Sequence, residues 1–324
     1  MTEAGRRSRP VAQRRAIVTG GAGFIGSHLV ERLLADGTAV LVVDDLSSGT
    51  RERVPAGVRL ERLDIAGDEI DRVFGDWRPD VVFHLAAQAS VPMSIQAPLR
   101  DLAVNVTGTH RVAAAARTAG ARRLVFVSSG GAIYGETSRA ATETTLPAPR
   151  SYYGVHKLAA EGHVALAGLP YAIARPSNVY GPGQGAGLEG AVVAAFLDQA
   201  ASTGVLRVHG DGLQTRDFVH VEDVVGALLR LSEPDTASGT WNVASGRSGT
   251  ILDLARTVER ALGRPLGREF APARPGDVRH SAASAARLKA LGWRPSTSLA
   301  SGIGRLVRST PSVARPSAPT RQRG

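Results

Sequence analysis

The chain has 324 residues, of which 43% are hydrophobic, so it can bury a large core in one domain or in two coupled ones. It has no cysteine, which excludes disulfides and thiolate chemistry and fits a cytoplasmic protein, and no apolar run reaches the roughly 18 residues of a membrane-spanning helix. The formal net charge is +10, but nine of these charges lie in the first 15 and the last 20 residues, which argues against a nucleic-acid-binding domain with a basic patch on folded elements.

The two ends of the chain are predicted to be disordered basic tails. Residues 1–15 contain five arginines and one glutamate, and residues 306–324 are rich in proline, serine and arginine. Such compositions cannot bury enough apolar surface to fold. We therefore expect a folded body between the tails, with neither nucleic acid nor a membrane as a partner.

Apolar and amphipathic segments alternate through the first half of the body. Strands are predicted at residues 16–20, 39–45, 58–65, 80–87, 122–129 and 170–181. Helices are predicted between them at residues 24–37, 68–77, 99–120 and 152–168. Strands separated by helical crossovers pair in parallel, so the predicted fold class is α/β, with a doubly wound parallel sheet of the Rossmann type over residues 16–180.

After residue 180 the pattern becomes irregular. Helices are predicted at about 191–203, 221–232 and 250–262, and short extended pieces at 205–210, 240–245 and 267–272. This pattern indicates a smaller C-terminal α/β lobe over residues 181–305, from which the chain is free to cross back to the first domain. A lobe beside the strand ends of a parallel sheet leaves a cleft for a ligand.

The segment TGGAGFIG places three glycines, Gly20, Gly23 and Gly26, between the first strand and the first helix. Glycines there let the backbone approach a pyrophosphate, which the helix N-terminus then attracts. The second strand ends in Asp44, 24 residues after Gly20, and Asp45 follows it. A carboxylate at that point accepts from both ribose hydroxyls of NAD and repels a 2′-phosphate, so the predicted cofactor is NAD rather than NADP.

Tyr153 and Lys157 stand four residues apart in the predicted helix that contains YYGVHK, so they face the same side of it. A neighbouring ammonium stabilises the phenolate form of a tyrosine, and the pair therefore predicts a base that works near neutral pH. The histidines show no ligand spacing, which predicts no metal site. His84 is interpreted as a core residue and His156 as a helix-surface residue.

In combination, the motifs of this chain resemble those of the extended short-chain dehydrogenase/reductases, most closely the UDP-glucose 4-epimerase-like nucleotide-sugar enzymes. The resemblance runs from about Ala16 to Pro295 and rests on TGGAGFIGSHL, VVDDLSSG, HLAAQASVPMS, SSGGAIYG, YYGVHK, RPSNVYGPGQ, GDGLQTRDFVHVEDV and ARPGDVR. It implies an NAD-dependent 4-epimerase that oxidises the sugar transiently at C4′ to a 4-keto intermediate and returns the hydride to the opposite face.

The resemblance also implies roles for individual residues. Tyr153 is the acid/base, and Lys157 lies on the nicotinamide ribose. The other residues along the cofactor are Gly20, Gly23, Phe24, Ile25, Gly26, Asp44, Asp45, Ser48, Gly49, Asp64, Ile65, Leu85, Ala86, Ala87, Asn105 and Ser128. Those around the sugar nucleotide are Gln88, Ser94, Ser129, Asn178, Val192, Arg216, Arg274, Asp277 and Ser281.

The stretch VSSGGAIYG departs from the pattern of the family. Family members have a catalytic Ser or Thr four residues before the tyrosine of this motif, and Gly130 occupies that position. Our hypothesis is that a flexible Gly-Gly turn lets Ser129, or else Ser128, supply the hydroxyl; the alternative is that Tyr153 works nearly alone. The acidic residues of dehydrating and decarboxylating members are replaced here by Gly131 and Ala132, so neither reaction is expected.

Several alternatives remain open from the sequence. The substrate is a UDP-sugar or a dTDP-sugar, and Ser281 leaves room for a large substituent on the hexose. A one-way NAD-dependent reductase or dehydrogenase and a non-catalytic NAD-binding protein are the rival functions. The resemblance implies a homodimer formed through the helix near 100–118 and the helix that carries Tyr153, the second of which is about one turn shorter than usual.

Overall fold

The computed structural model describes residues 13–137, 139–185, 191–273 and 278–310. Its strands are β1 (Arg15–Thr19), β2 (Ala39–Val43), β3 (Arg59–Glu61), β4 (Val81–His84), β5 (Arg123–Val127), β6 (Tyr171–Pro176), β7 (Asn178–Tyr180), β8 (Val205–His209), β9 (Thr215–His220), β10 (Gly239–Val243), β11 (Ser248–Thr250), β12 (Gly267–Ala271) and β13 (His280–Ser281). Its α-helices are α1 (Phe24–Ala35), α2 (Ile70–Trp77), α3 (Val91–Gln96), α4 (Pro98–Leu102), α5 (Thr109–Thr118), α6 (Gly130–Ile133), α7 (Tyr152–Ala165), α8 (Val192–Ser202), α9 (Val221–Leu231), α10 (Ile251–Leu262), α11 (Ala286–Ala290) and α12 (Leu299–Ser309). A 3-10 turn (Arg51–Arg53) follows β2, and a π-helical segment (Ala103–Gly108) joins α4 to α5.

Seven strands form one parallel sheet in the order β10-β6-β5-β4-β1-β2-β3. Its side chains alternate between two cores, because successive residues of a strand point to opposite faces. In β1, Ala16 and Val18 belong to the core on one face, whereas Ile17 belongs to the core on the other. Helices α1 and α9 cover the first face, and α2, α5 and α7 cover the second. The predicted doubly wound α/β fold is confirmed.

The C-terminal lobe has its own small sheets and its own core. Strand β9 pairs with β7, β11 and β13, and β8 pairs in parallel with β12. Helices α8, α10 and α12 enclose a core with these strands, which includes Phe196, Leu254 and Ile303, each at most 1% exposed. The lobe therefore stands beside the main sheet as a separately packed body of side chains.

The chain returns from this lobe to the main sheet. The piece that we predicted as a short extended segment of the lobe is β10, which pairs in parallel with β6 at the edge of the seven-stranded sheet. Trp241 and Val243 on this strand are buried in the core that α9 covers. A five-residue strand carries no local signal of its partner, so its place in the sheet depends on tertiary packing.

The ends of the folded body differ from the prediction. Strand β1 already includes Arg15, and α12 continues to Ser309, four residues into the predicted C-terminal tail. Leu306 and Val307 are buried against the lobe core, which explains why this part of the chain is helical. The rest of the predicted tails, residues 1–12 and 311–324, lies outside the described residues. Among the described residues, no helix combines the length and the apolar character needed to cross a membrane.

Candidate active site

A cleft of about 1170 Å³ runs along the carboxyl ends of the main strands and between them and the C-terminal lobe. Parallel α/β sheets bind their ligands at this edge, where the loops that follow the strands diverge. The loops after β1, β2, β4 and β5 line one side, and α8, β8 and β9 contribute to the other.

The glycine-rich turn after β1 forms one end of the cleft. Gly20 has φ +70°, and a side-chain carbon there would lie 2.6 Å from the backbone nitrogen of Ala86. A side-chain carbon on Gly26 would lie 2.1 Å from the carbonyl oxygen of Gly20. Helix α1 starts at Phe24 without an acidic residue in its first turn or a side-chain cap. Its first N–H groups therefore face the cleft as a ready site for an anion.

Asp44 lies directly after β2 and connects two loops of the cleft. Its two carboxylate oxygens accept from the backbone nitrogens of Ala22 and Leu46, both at 2.9 Å. Burial raises the pKa of this carboxyl group, and the two backbone hydrogen bonds oppose that effect. Asp45 also lines the cleft, and its Oδ1 accepts from the backbone nitrogen and the hydroxyl of Ser47.

Most residues predicted to lie along the cofactor line the cleft: Gly20, Gly23, Phe24, Ile25, Gly26, Asp44, Asp45, Ser48, Asp64, Ile65, Leu85, Ala86, Ala87, Ser128, Tyr153 and Lys157. Gly49 and Asn105 do not. Gly49 packs against the backbone of Ala22, where an added side-chain carbon would lie 2.6 Å from the carbonyl oxygen. Asn105 is buried in the π-helical segment, and its Nδ2 donates to the carbonyl oxygen of Gln88 at 2.9 Å. Both residues thus shape the walls of the cleft from behind.

Tyr153 and Lys157 lie on the first two turns of α7. This helix begins after Ser151, whose hydroxyl accepts from the backbone nitrogen of Gly154 at 3.1 Å. Both side chains line the cleft. Lys157 is 2% exposed, and its Nζ donates to the carbonyl oxygen of Val127 at 2.8 Å.

Burial dominates the electrostatics of Lys157. It lowers the pKa of the Lys157 ammonium to about 7, and the carboxylates of Glu161 and Asp101 act in the opposite direction. The ammonium also lies 4.2 Å from the centre of the Phe126 ring. The two carboxylates and the π-face therefore favour the protonated form of a side chain that burial would otherwise neutralise.

Ser128 and Ser129 follow β5, and both line the cleft. Ser128 is 4% exposed, and its hydroxyl has no hydrogen-bond partner among the described residues. Ser129 precedes α6, and its side chain makes no capping hydrogen bond. Both serines thus lie at the cleft beside the end of β5, near the carbonyl that holds Lys157.

The structure corrects our interpretation of Gly130. We attributed its place to a flexible turn, but Gly130 begins the helical turn α6 and is packed against β6. A side-chain carbon on Gly130 would lie 3.1 Å from the carbonyl oxygen of Arg175 and 3.2 Å from that of Pro176, which is tighter than ordinary contact. Gly130 is therefore part of a closely packed helical turn, where a side chain would need β6 to shift slightly.

The residues predicted around the sugar nucleotide divide into three groups. Gln88, Asn178, Val192, Arg216, Ser129 and Ser281 line the cleft. Ser94 does not line it; this residue is fully buried in α3, and its hydroxyl donates to the carbonyl oxygen of Val91 at 2.7 Å. Arg274 and Asp277 lie outside the described residues.

Some cleft residues were not among our predictions. Arg150 stands just before α7, and Arg207, His209 and Gln214 line the cleft from β8 and the loop that follows it. The alternation of exposed and buried residues along VLRVH was the available signal, because Leu206 and Val208 are fully buried while the residues between and after them face outwards.

The two histidines that we interpreted have different environments. His84 is fully buried between the hydroxyls of Thr19, at 2.7 Å, and Thr109, at 2.9 Å. Burial lowers the pKa of His84 to about 3, so it is a neutral core residue, as predicted. His156, in contrast, is not a surface residue: its side chain is 12% exposed and its Nδ1 lies 2.6 Å from Oδ2 of Asp101. In the part of the chain that the structure describes, no three histidine, aspartate or glutamate side chains are grouped as metal ligands.

Comparison with known proteins agrees with this site. Residues 16–244 match the family model described as the NAD dependent epimerase/dehydratase family. A UDP-glucose 4-epimerase from Mycolicibacterium smegmatis is 40% identical over 304 residues, which cover 90% of this chain and 97% of the relative. The crystal structure of a Thermus thermophilus UDP-glucose 4-epimerase in complex with NAD is 41% identical, with a TM-score of 0.84 over 90% of this chain and 96% of that one. A Thermotoga maritima UDP-glucose 4-epimerase structure with UDP-glucose is 38% identical, with a TM-score of 0.86 over 91% and 97% of the two chains. The chain therefore belongs to the NAD-dependent epimerase/dehydratase family, within the extended short-chain dehydrogenase/reductases that its motifs resemble.

Proposed function

We propose that this protein is an NAD-dependent nucleotide-sugar 4-epimerase that acts on UDP-hexoses. The observation that carries the proposal is the position of Tyr153 and Lys157 on one cleft with a glycine turn shaped for a dinucleotide. Relatives that are UDP-glucose 4-epimerases and align with nine-tenths of the chain support the same reaction. Such an enzyme is an isomerase, because the substrate is oxidised and then reduced at one carbon without net redox.

The residues of the cleft fit NAD. At Gly20 and Gly26 the backbone approaches so closely that a side-chain carbon would fill the turn, and this leaves the N-terminus of α1 open to the pyrophosphate. Asp44 would accept from the adenosine ribose, since its carboxylate lines the cleft at the end of β2. Lys157 would hold the nicotinamide ribose. When bound, NAD supplies a hydride acceptor at the sugar C4′ and the same hydride for the return step.

The chain itself handles the proton. Tyr153, as the phenolate, takes the proton from the sugar 4′-hydroxyl. It returns the proton after the keto sugar has rotated in the cleft to present its other face. Lys157 stabilises the phenolate through its ammonium, which the buried carboxylates of Glu161 and Asp101 help to keep protonated. Ser129, or Ser128 in its place, donates a hydrogen bond to the reacting oxygen. Ser128 lines the cleft, and its hydroxyl has no hydrogen-bond partner among the described residues, which supports such a role.

The substrate would be anchored by its diphosphate in the C-terminal lobe. Arg216 lines the cleft from β9, and a planar guanidinium pairs two phosphate oxygens. Asn178, Val192 and Ser281 remain our proposed contacts of the sugar nucleotide, and the roles of Gln88, Arg274, Asp277 and Ser94 stay predictions. An anchor at the diphosphate leaves the hexose free to present either face to the hydride, as epimerisation requires.

We also propose a homodimer formed through α4, α5 and α7. Large apolar side chains on these helices are exposed in the single chain: Leu99 at 79%, Tyr152 at 51% and Val155 at 47%. Helix α4 packs against α7, so these side chains belong to neighbouring elements. Light scattering coupled to size-exclusion chromatography tests this; a Leu99→Glu variant should shift the protein towards the monomer.

The decisive experiment for the function is incubation of the purified protein with UDP- and dTDP-sugars without added NAD, followed by NMR of the sugar. A 4-epimer that accumulates to equilibrium is expected. A requirement for added cofactor, with net formation of NADH, would identify a one-way dehydrogenase instead. Binding of NAD without turnover of any sugar would identify a non-catalytic protein. Tyr153→Phe is the matched control and should abolish turnover while NAD binding is retained.

The two serines are separated by their alanine variants. We expect Ser129→Ala to lower kcat by about tenfold to a hundredfold, because a hydroxyl that only hydrogen-bonds the reacting oxygen contributes less than the roughly 10²–10⁴-fold of a general acid or base. Ser128→Ala controls for a hydroxyl that only contacts the cofactor. If neither variant loses about tenfold in kcat, no serine hydroxyl takes part and Tyr153 works nearly alone.

A further inference from the structure

His156 and the fully buried Asp101 form a polar pair beside the catalytic residues. Asp101 on α4 is 0% exposed, and its Oδ2 lies 2.6 Å from Nδ1 of His156 on α7. A carboxylate can only accept hydrogen bonds, so the imidazole carries its proton on Nδ1. The pair therefore joins α4 to the turn of α7 that lies between Tyr153 and Lys157.

The same carboxylate is held from its other side. Oδ1 of Asp101 accepts from Nε2 of Gln88 at 2.6 Å. Nε2 of Gln88 also donates to the carbonyl oxygen of Ser90 at 2.9 Å, and Oε1 accepts from the backbone nitrogen of Ser90 at 2.6 Å. Both donors of the Gln88 amide are thus used within the protein, and at the wall of the cleft the side chain shapes the turn after β4.

That turn is part of the cofactor side of the cleft. Ala86 and Ala87 precede Gln88 and line the cleft, and Ser90 caps α3 by accepting from the backbone nitrogen of Met93 at 3.3 Å. The carbonyl oxygen of Gln88 is itself held by Asn105. One end of the brace, which we define as His156, Asp101 and Gln88, is therefore fixed to the wall where the nicotinamide would lie.

The other end fixes the rotation of α7. His156 and Lys157 follow Tyr153 by three and four residues, so the three residues lie on one side of the helix within about one turn. Lys157 ties this turn to the end of β5 through the carbonyl of Val127, and His156 ties it to α4 through Asp101. Two side-chain anchors on different elements therefore hold this turn, one at the end of β5 and one on α4.

We propose that His156 is a positioning residue for the proposed epimerase reaction: through Asp101 and Gln88 it holds the Tyr153 phenol in register with the wall of the cleft formed by residues 86–90. This inference rests on the proposed function for its kinetic consequence, but its structural content is independent of it. A phenol displaced by a fraction of an ångström loses rate at the proton-transfer step. The diphosphate anchor in the C-terminal lobe is untouched, so substrate binding should change little.

The test compares two substitutions at one position. His156→Ala removes the donor, whereas His156→Asn keeps an N–H donor on the atom that corresponds to Nδ1. We expect His156→Ala to lower kcat by about tenfold or more with KM within about threefold of the wild type, and His156→Asn to restore most of the kcat. An unchanged kcat in His156→Ala, an equal loss in His156→Asn, or a loss confined to KM would each overturn the proposal.

Hydrogen exchange separates the brace from the proposed function. Backbone amides of residues 86–90 should exchange faster in His156→Ala than in the wild type and in His156→Asn, and this readout requires no turnover. Unchanged exchange there overturns the brace even if the enzyme is an epimerase. Absence of epimerase activity in the wild type overturns the function, and the exchange measurement still decides the brace.

A second variant covers the case in which His156→Ala does not fold. Gln88→Met removes the amide at the opposite end of the brace with little change in side-chain length. It should also lower kcat with KM nearly unchanged, and the Gln88→Met, His156→Asn double variant should lose no more than Gln88→Met alone. Wild-type kcat in Gln88→Met would contradict the proposal.

Discussion

Replacement of Lys157 by methionine should stabilise the protein near neutral pH while it abolishes activity. The fold buries an ammonium, and burial lowers the pKa of Lys157 from 10.5 to about 7. Between these two values the unfolded chain binds more protons than the folded chain, so the free energy of unfolding rises with pH across that window. The burial penalty is therefore fully present below pH 7 and is lost as the pH rises towards 10.5.

The magnitude follows from the same two pKa values. A difference between 10.5 and about 7 corresponds to roughly 5 kcal/mol, of which roughly 4 kcal/mol remains at pH 7, where half of the folded molecules have released the proton. Methionine has a similar volume but leaves the carbonyl of Val127 without its donor, which costs roughly 1–3 kcal/mol. The net gain expected for Lys157→Met is therefore about 2 kcal/mol at pH 7, and it becomes a loss near pH 10.

Thermal unfolding of the cofactor-free proteins from pH 6 to pH 10 measures this effect. At pH 7 the variant should unfold at a temperature about 3 °C above the wild type, and the two curves should cross as the pH rises. Lys289→Met, at the only other lysine of the chain, is the matched control for loss of a lysine. A Lys157→Met protein that is less stable than the wild type at pH 6 and pH 7, or a difference that does not depend on pH, would refute the reasoning.

Three further predictions concern other parts of the site. Gly26→Ala should abolish NAD binding and activity because its side-chain carbon would lie 2.1 Å from a carbonyl oxygen, whereas Gly75→Ala in α2, which meets open space, should be tolerated in the same NAD titration. Asp44→Asn should weaken NAD binding by about tenfold to a hundredfold and reduce the preference for NAD over NADP, and calorimetry measures both affinities. An unchanged ratio of the two affinities contradicts the assigned role. Arg175→Met should destabilise the protein by roughly 3–5 kcal/mol in urea unfolding, because it leaves the buried carboxylate of Glu161 without its ion-pair partner. The Arg175→Met, Glu161→Leu double variant should recover part of that loss. Equal losses in the single and the double variant would show that the ion pair is not the cause.

Much of the cofactor half follows from local rules. The glycine spacing of TGGAGFIG requires a tight turn before a helix, and the helical period alone places Tyr153 and Lys157 on one side of α7. Short apolar runs separated by amphipathic segments usually pair in parallel through helical crossovers, which predicts the sheet. These features depend on residues close to one another in the chain, and they were therefore readable in advance.

The tertiary structure decided the features that join distant segments. Strand β10 lies beside β6 although about 60 residues separate them, Gly130 packs closely against β6, and Asp101 holds His156, a predicted surface residue, in a mostly buried contact. Each of these contacts joins side chains or backbones whose separation in the chain is large, so no local period or propensity encodes it. The sequence by itself predicted most of the elements and the candidate residues of the site. The tertiary structure decided which distant segments contact one another, because such contacts depend on the shape of the whole core.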